Sequence, residues 1–149
     1  MKQNHPPVVS SRHGITMLEL TVVIFVLMTL LSVVYLAASA WKRSSDKTSC
    51  VLTARQVQQA TRSYQNLYGY YFGGTPNPLN GTQDIAAHLY NKGYIKQAVY
   101  EQARGTAPCP GSGSYMRESA DVFPMPGSLY LECSLAETAE HVPQSHADW

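Results

Sequence analysis

Four kinds of side chain in this sequence could do chemistry: a carboxylate in an apolar run, three cysteines, scattered histidines and a tyrosine-rich segment. Glu19 sits inside "ITMLELTVVIFVLM", where burial in lipid would cost a few kcal/mol unless a partner compensates it. Cys50, Cys109 and Cys133 allow at most one internal disulfide and leave one thiol over. No pair of Cys or His has Cys-x-x-Cys ligand spacing, so no metal site is expected. His88, His141 and His146 have no nucleophile motif or paired acid beside them, so no catalytic residue is assigned and no enzyme or cofactor is expected. Lys and Arg do not interleave with the tyrosines of "YQNLYGYYFGG", so packing is expected there and nucleic-acid stacking is unsupported. Asn80-Gly81-Thr82 reads as a turn leading to a helix cap, although it also matches a glycosylation sequon.

The elements that must position these groups follow from helix breakers and hydropathy. Leu20 to Trp41 contains no Asp, Glu, Lys or Arg, a run about long enough to cross the hydrocarbon core of a bilayer. Ala38-Ser39-Ala40 offers a signal-peptidase pattern before Trp41, but the apolar run exceeds the roughly 7 to 15 residues of a signal-peptide core. None of the ten Gly and nine Pro falls between Ile15 and Tyr68, which predicts one uninterrupted helix ended by Gly69. Its second half carries a stripe of Cys50, Ala54, Val57, Thr61, Tyr64 and Tyr68, with Ala60 and Leu67 beside it, expected to face the domain's own core. Arg55, Gln58, Gln59, Arg62 and Gln65 are expected on the solvated side.

The head beyond it is read from turn signals. "NGTQDIAAHLYNKGYI" predicts a short helix with Thr82 as N-cap, Asp84 in its first turn and Gly93 as its stop. "KQAVYEQARG" fits a helical turn or a loop. Tyr115 and Met116 predict one strand, and "GSLYLECS" a second with Leu129, Leu131 and Cys133 alternating on one side. Ala136 to Trp149 is expected as a loose acidic tail. The formal net charge of +1 argues against a strongly electrostatic partner such as duplex DNA, and 149 residues leave room for one modest domain rather than a large multi-step enzyme. The charge is uneven: all six acids after Arg117 lie in a stretch without Lys or Arg, an asymmetry that could help identical subunits attract one another.

"RHG" followed by "ITMLELTVVIFVLM" resembles the class III signal of type IV prepilins and pseudopilins. That signal is a short basic leader ending in Gly, then an apolar residue, a Thr, two apolar residues and a Glu as the fifth residue after the cut. Ile15 departs from the Phe or Met usual in the family. The resemblance implies cleavage by prepilin peptidase between Gly14 and Ile15, N-methylation of Ile15, and pairing of Glu19 with an N-terminal amine during assembly. It also implies a C-terminal disulfide in the head, for which Cys109 and Cys133 are the natural candidates; Cys50 faces the head and could capture either. Such a bridge would stabilise by about 3 kcal/mol. "CPGSGSY", "LECS" and "HVP" also look like small bacterial pilin-like proteins of the spine-helix type.

The expected layout is therefore α+β, a pilin-like long N-terminal spine helix packed on a small antiparallel sheet. Residues 1–14 form the cleaved leader, 15–41 the transmembrane half of the spine, 42–68 its amphipathic half, 69–135 the head and 136–149 the acidic tail. Positive charges flank both ends of the apolar run, so only the family's arrangement orients it: leader in the cytoplasm, head in the periplasm, a single pass through the inner membrane. The implied function is a structural subunit of a type IV pilus or a type II secretion-like pseudopilus. The implied partners are prepilin peptidase, identical or homologous subunits, an inner-membrane assembly platform and, before assembly, lipid. The alternative is a membrane-anchored binding module, a minor pilin for adhesion or DNA uptake.

Overall fold

The computed structural model describes residues 16–147. Its elements are α1 (Met17–Tyr68), α2 (Ile85–Asn91), α3 (Gln97–Ala103), β1 (Tyr115–Met116), β2 (Glu132–Cys133) and α4 (Ala136–Ala139). A long apolar N-terminal helix and a two-stranded antiparallel sheet make an α+β layout. The chain divides into two compact units, Met1–Ala40 and Trp41–Trp149.

In the first unit, every described side chain is exposed. The four Ser and Thr between Leu20 and Trp41 each return their hydroxyl proton to a carbonyl three or four residues back: Thr21 to Leu18, Thr29 to Val26, Ser32 to Met28 and Ser39 to Leu36. Each hydroxyl is thereby satisfied within the helix itself, as Thr48 and Thr53 also are further along.

The second unit is built on one face of α1. Cys50, Ala54, Val57, Thr61 and Tyr64 are buried as the periodicity predicts, with Ala60. Two departures correct the stripe: Leu67 and Tyr68 are 70% and 45% exposed, while Gln58 and Gln65 are 1% exposed. The glutamines are buried because their amides have bonds to make. Gln58 Nε2 donates to Ser128 O at 3.0 Å and its Oε1 accepts from Tyr130 N at 2.8 Å. One side chain thus replaces a neighbouring strand for residues 128–130. Gln65 Oε1 accepts from Arg62 Nη1 at 3.1 Å, and Arg62 also donates to Pro124 O and Met125 O.

The helix ends where the glycine signal says. Gly69 adopts φ +69°, and Tyr70 N donates to Gln65 O at 3.0 Å. The same device closes α2: Gly93 has φ +78°, its N–H reaches Tyr90 O, and Tyr94 N reaches Leu89 O. At the other end of α2 the cap is Asp84 rather than Thr82. Asp84 Oδ1 accepts from Ala86 N at 2.9 Å, while Thr82 Oγ1 accepts from Asp84 N and so shapes the turn before the cap. Gln97–Ala103 resolves the ambiguous segment as helix.

The second strand is shorter than expected. Only Glu132 and Cys133 pair with β1, in the register Tyr115 with Cys133 and Met116 with Glu132. Leu129, Tyr130 and Leu131 are all buried, so they do not alternate between core and solvent. Their neighbours lie on both sides, with α1 supplying the amide. The segment from Ala136, expected as a loose tail, forms α4 and buries His141 and Pro143.

The core of this unit centres on Val57, Tyr64, Ile85, Leu89, Phe123 and Leu131. Tyr64 stacks near Tyr70 and Phe123, and its hydroxyl lies 2.9 Å from His88 Nδ1. Because His88 Nε2 lies 2.9 Å from Thr82 O, a carbonyl that can only accept, Nε2 carries the proton and Nδ1 accepts from Tyr64. His88 is a satisfied core residue.

Two predictions follow from these buried polar groups. Gln58→Ala should cost about 2–4 kcal/mol in chemical denaturation by stranding Ser128 O and Tyr130 N, and Gln58→Glu should recover only the acceptor half. Burial pushes Tyr64 and Tyr130 up to about 12. A group whose folded pKa is raised stabilises below its unfolded value, so stability should hold up to pH about 10 and fall between about 10 and 12. Denaturation curves against pH would check this, and Tyr64→Phe should flatten the fall.

Candidate functional site

Two places bring together residues the sequence marks. The first is the start of α1, long and apolar enough to cross a membrane, as an anchor or a signal would be. Gly14 and Ile15 lie outside the described residues. Thr16 precedes the helix as its N-cap, and its Oγ1 accepts from Glu19 N at 3.2 Å. Thr16-Met17-Leu18-Glu19 therefore has the spacing of a capping box, with the Glu at the third helical position, where the helix dipole favours a negative charge. Glu19 is exposed.

The second place brings together Cys50, Cys109, Cys133 and His141, all buried, with one ligand atom from each lying within 4.8 Å of the others. Each arrives by a different route. Cys50 stands on the buried stripe of α1. Cys109 opens a tight turn in which Ser112 N donates to Cys109 O and Cys109 N to Gly113 O, with Ser112 at φ +68°. Cys133 is the β2 residue opposite Tyr115. His141 follows α4, where Glu140 takes the left-handed conformation at φ +53° and His141 N donates to Leu135 O. Lys47 grips Glu140 at 2.6 Å and thereby ties this corner back to α1; the contact holds the Glu140 carboxyl below its usual range.

Cys109 and Cys133, the pair that the family resemblance implies for a disulfide, are free thiols here, as is Cys50, and all three share this group. His141 Nδ1 lies 3.4 Å from Cys109 Sγ and 4.0 Å from Cys133 Sγ. Burial pushes the Cys50 and Cys133 thiols up. Gly111 makes room for the imidazole, since a Cβ there would sit 2.6 Å from His141 Cε1.

Sequence reasoning missed this group because its members come from four separate elements, with no ligand-type spacing among them. The available signals were an odd cysteine on a buried helix stripe and "HVP" placed shortly after "LECS". Of the other histidines, His88 is engaged in the core, and His146 Nδ1 lies 3.0 Å from Pro143 O, so the structure does not bring them to this group. No family model, curated protein or solved structure matches this chain.

Gly111→Ala should displace the His141 ring and open the thiols. The expected result is faster alkylation of Cys109 and Cys133 in the folded variant than in the folded wild-type chain, read by mass spectrometry.

Proposed function

We propose that this chain is a structural subunit of a type IV pilus or a type II secretion-like pseudopilus. It is processed by prepilin peptidase between Gly14 and Ile15, methylated at Ile15, and assembled by packing of N-terminal helices. The observation that carries the reading is the coincidence of a basic leader ending in Gly14, Glu19 as the fifth residue after it, and an apolar helix that continues without a breaker to Tyr68. The exposed apolar side chains of the first unit support it: such a surface needs lipid or other helices around it.

Before assembly, the chain is held by that helix in the inner membrane as a single pass, with the pilin-like head in the periplasm and the leader in the cytoplasm. An assembly platform then moves it from lipid into a filament of identical or homologous subunits. Helix packing within the filament replaces lipid contacts by contacts of similar polarity, so specificity must come from shape and from polar groups. Glu19 is the polar group at the right place, and the new ammonium at Ile15 is a partner of the right sign. No catalysis is assigned to the head.

The first test is the intact mass and N-terminal sequence of the mature protein from its native membrane. A chain starting at Ile15 with one added methyl group is the expected result, and one starting at Trp41 would overturn the reading. Glu19→Ala should leave membrane insertion intact while incorporation into filaments falls severalfold, as measured by quantifying subunits in sheared filaments against those in the membrane.

A further inference from the structure

We propose that Cys50, Cys109, Cys133 and His141 form a binding site for a thiophilic divalent cation of the zinc class. Tetrahedral zinc, with bonds of about 2.3 Å to sulfur and about 2.0 Å to nitrogen, needs S···S edges of about 3.8 Å and S···N edges of about 3.6 Å. The observed S···N distances of 3.4 and 4.0 Å bracket that edge, and the whole group lies within 4.8 Å. Closing onto an ion therefore asks for shifts of about 1 Å or less.

Three features separate this group from buried cysteines that merely pack. First, a disulfide uses two sulfurs and leaves a thiol and an imidazole converging with nothing to bind, whereas a cation uses all four ligands. Second, the Tyr115 hydroxyl is buried without a hydrogen-bond partner, on the residue that pairs with Cys133 across the two strands. An orphaned O–H donor beside a sulfur is satisfied once that sulfur becomes a metal-bound thiolate, a good acceptor. Third, three thiolates and a neutral imidazole around a divalent ion carry one net negative charge, and the groove that His141 lines is also lined by Lys42, Arg43, Lys47 and Asp46, a net positive set even with Lys47 paired to Glu140.

Four protein ligands leave no open position, so the site is structural rather than catalytic. Soft thiolates select zinc-like ions over magnesium or calcium. On binding, the three thiols release their protons to solvent, and one ion joins the α1 turn at Cys50 to the Cys109 turn, β2 and the segment after α4. The proposal is independent of filament assembly.

The test uses the full chain purified in detergent without chelator or added reductant, with metal content and free thiols measured on the same sample. The expected result is one zinc per chain and three thiols that resist alkylation until a chelator is added, with the melting temperature falling on chelation. Adding Co2+ to the stripped wild-type chain should give the visible absorption of tetrahedral thiolate coordination, a readout that needs no variant to fold. His141→Ala should lower zinc affinity at least tenfold, while His146→Ala should leave it unchanged. Metal-free protein carrying a disulfide between any two of the three cysteines, with no cobalt spectrum after reduction, would overturn the proposal. So would unchanged affinity in His141→Ala.

Discussion

Backbone hydrogen bonding is the constraint on which the head depends. Among the described residues, its regular structure beyond α1 amounts to two strands of two residues and three short helices, so most of its peptide groups have no ladder to join. Groups taken out of water must still be paired, and here side chains and loop-to-loop contacts do it. Gln58 serves Ser128 and Tyr130, Arg62 serves Pro124 and Met125, and Ser134 Oγ accepts from Ser114 N. The loop at Gly73 and Gly74 exchanges two backbone bonds with Phe123, in the manner of a single rung of sheet. The amphipathic half of α1 is thus more than an apolar surface; it carries the amide and guanidinium groups that let irregular chain pack against it.

The same logic explains how so short a helix as α2 persists. Seven residues are too few to be stable alone. Asp84 caps the helix and also takes Arg117 at 2.8 Å, while Tyr130 OH donates to Ala120 O and lies within reach of both Arg117 and Ala86 N. One carboxylate therefore joins the start of α2 to the segment after β1. Because the pair is mostly buried, removing either partner strands the other charge.

The features legible in the sequence were those set by backbone chemistry close in the chain. Freedom from Gly and Pro marked α1, and Gly69 and Gly93 marked the two stops, because a left-handed residue is needed there whatever packs nearby. What periodicity could not supply was the identity of long-range partners. Gln58 and Gln65 read as solvated because their burial depends on carbonyls and amides more than fifty residues away or on an arginine with its own distant acceptors. "GSLYLECS" looked like a one-faced strand because alternation assumes a sheet neighbour, and the neighbour is a helix side chain instead. His141 read as part of a loose tail because charge density was the only local signal, whereas a Lys47–Glu140 contact and a left-handed turn bring it inward.

Glu19 illustrates how magnitudes divide two roles. As the third residue of the helix it gains from the dipole by about 0.3–1 kcal/mol, and its amide is already satisfied by Thr16. Placing the same carboxylate in hydrocarbon costs about 2.5–3.5 kcal/mol even on the more lenient scale. Helix capping alone therefore falls short of keeping an ionised carboxylate in lipid, and a cation close by is the means of closing the gap. On the proposed function, that cation is the ammonium at Ile15, four residues away on the same chain or presented by a neighbour. The pairing would fix register between subunits because the hydroxyls of the apolar run are already satisfied within the helix, which leaves few other polar marks by which one helix could find its place against the next.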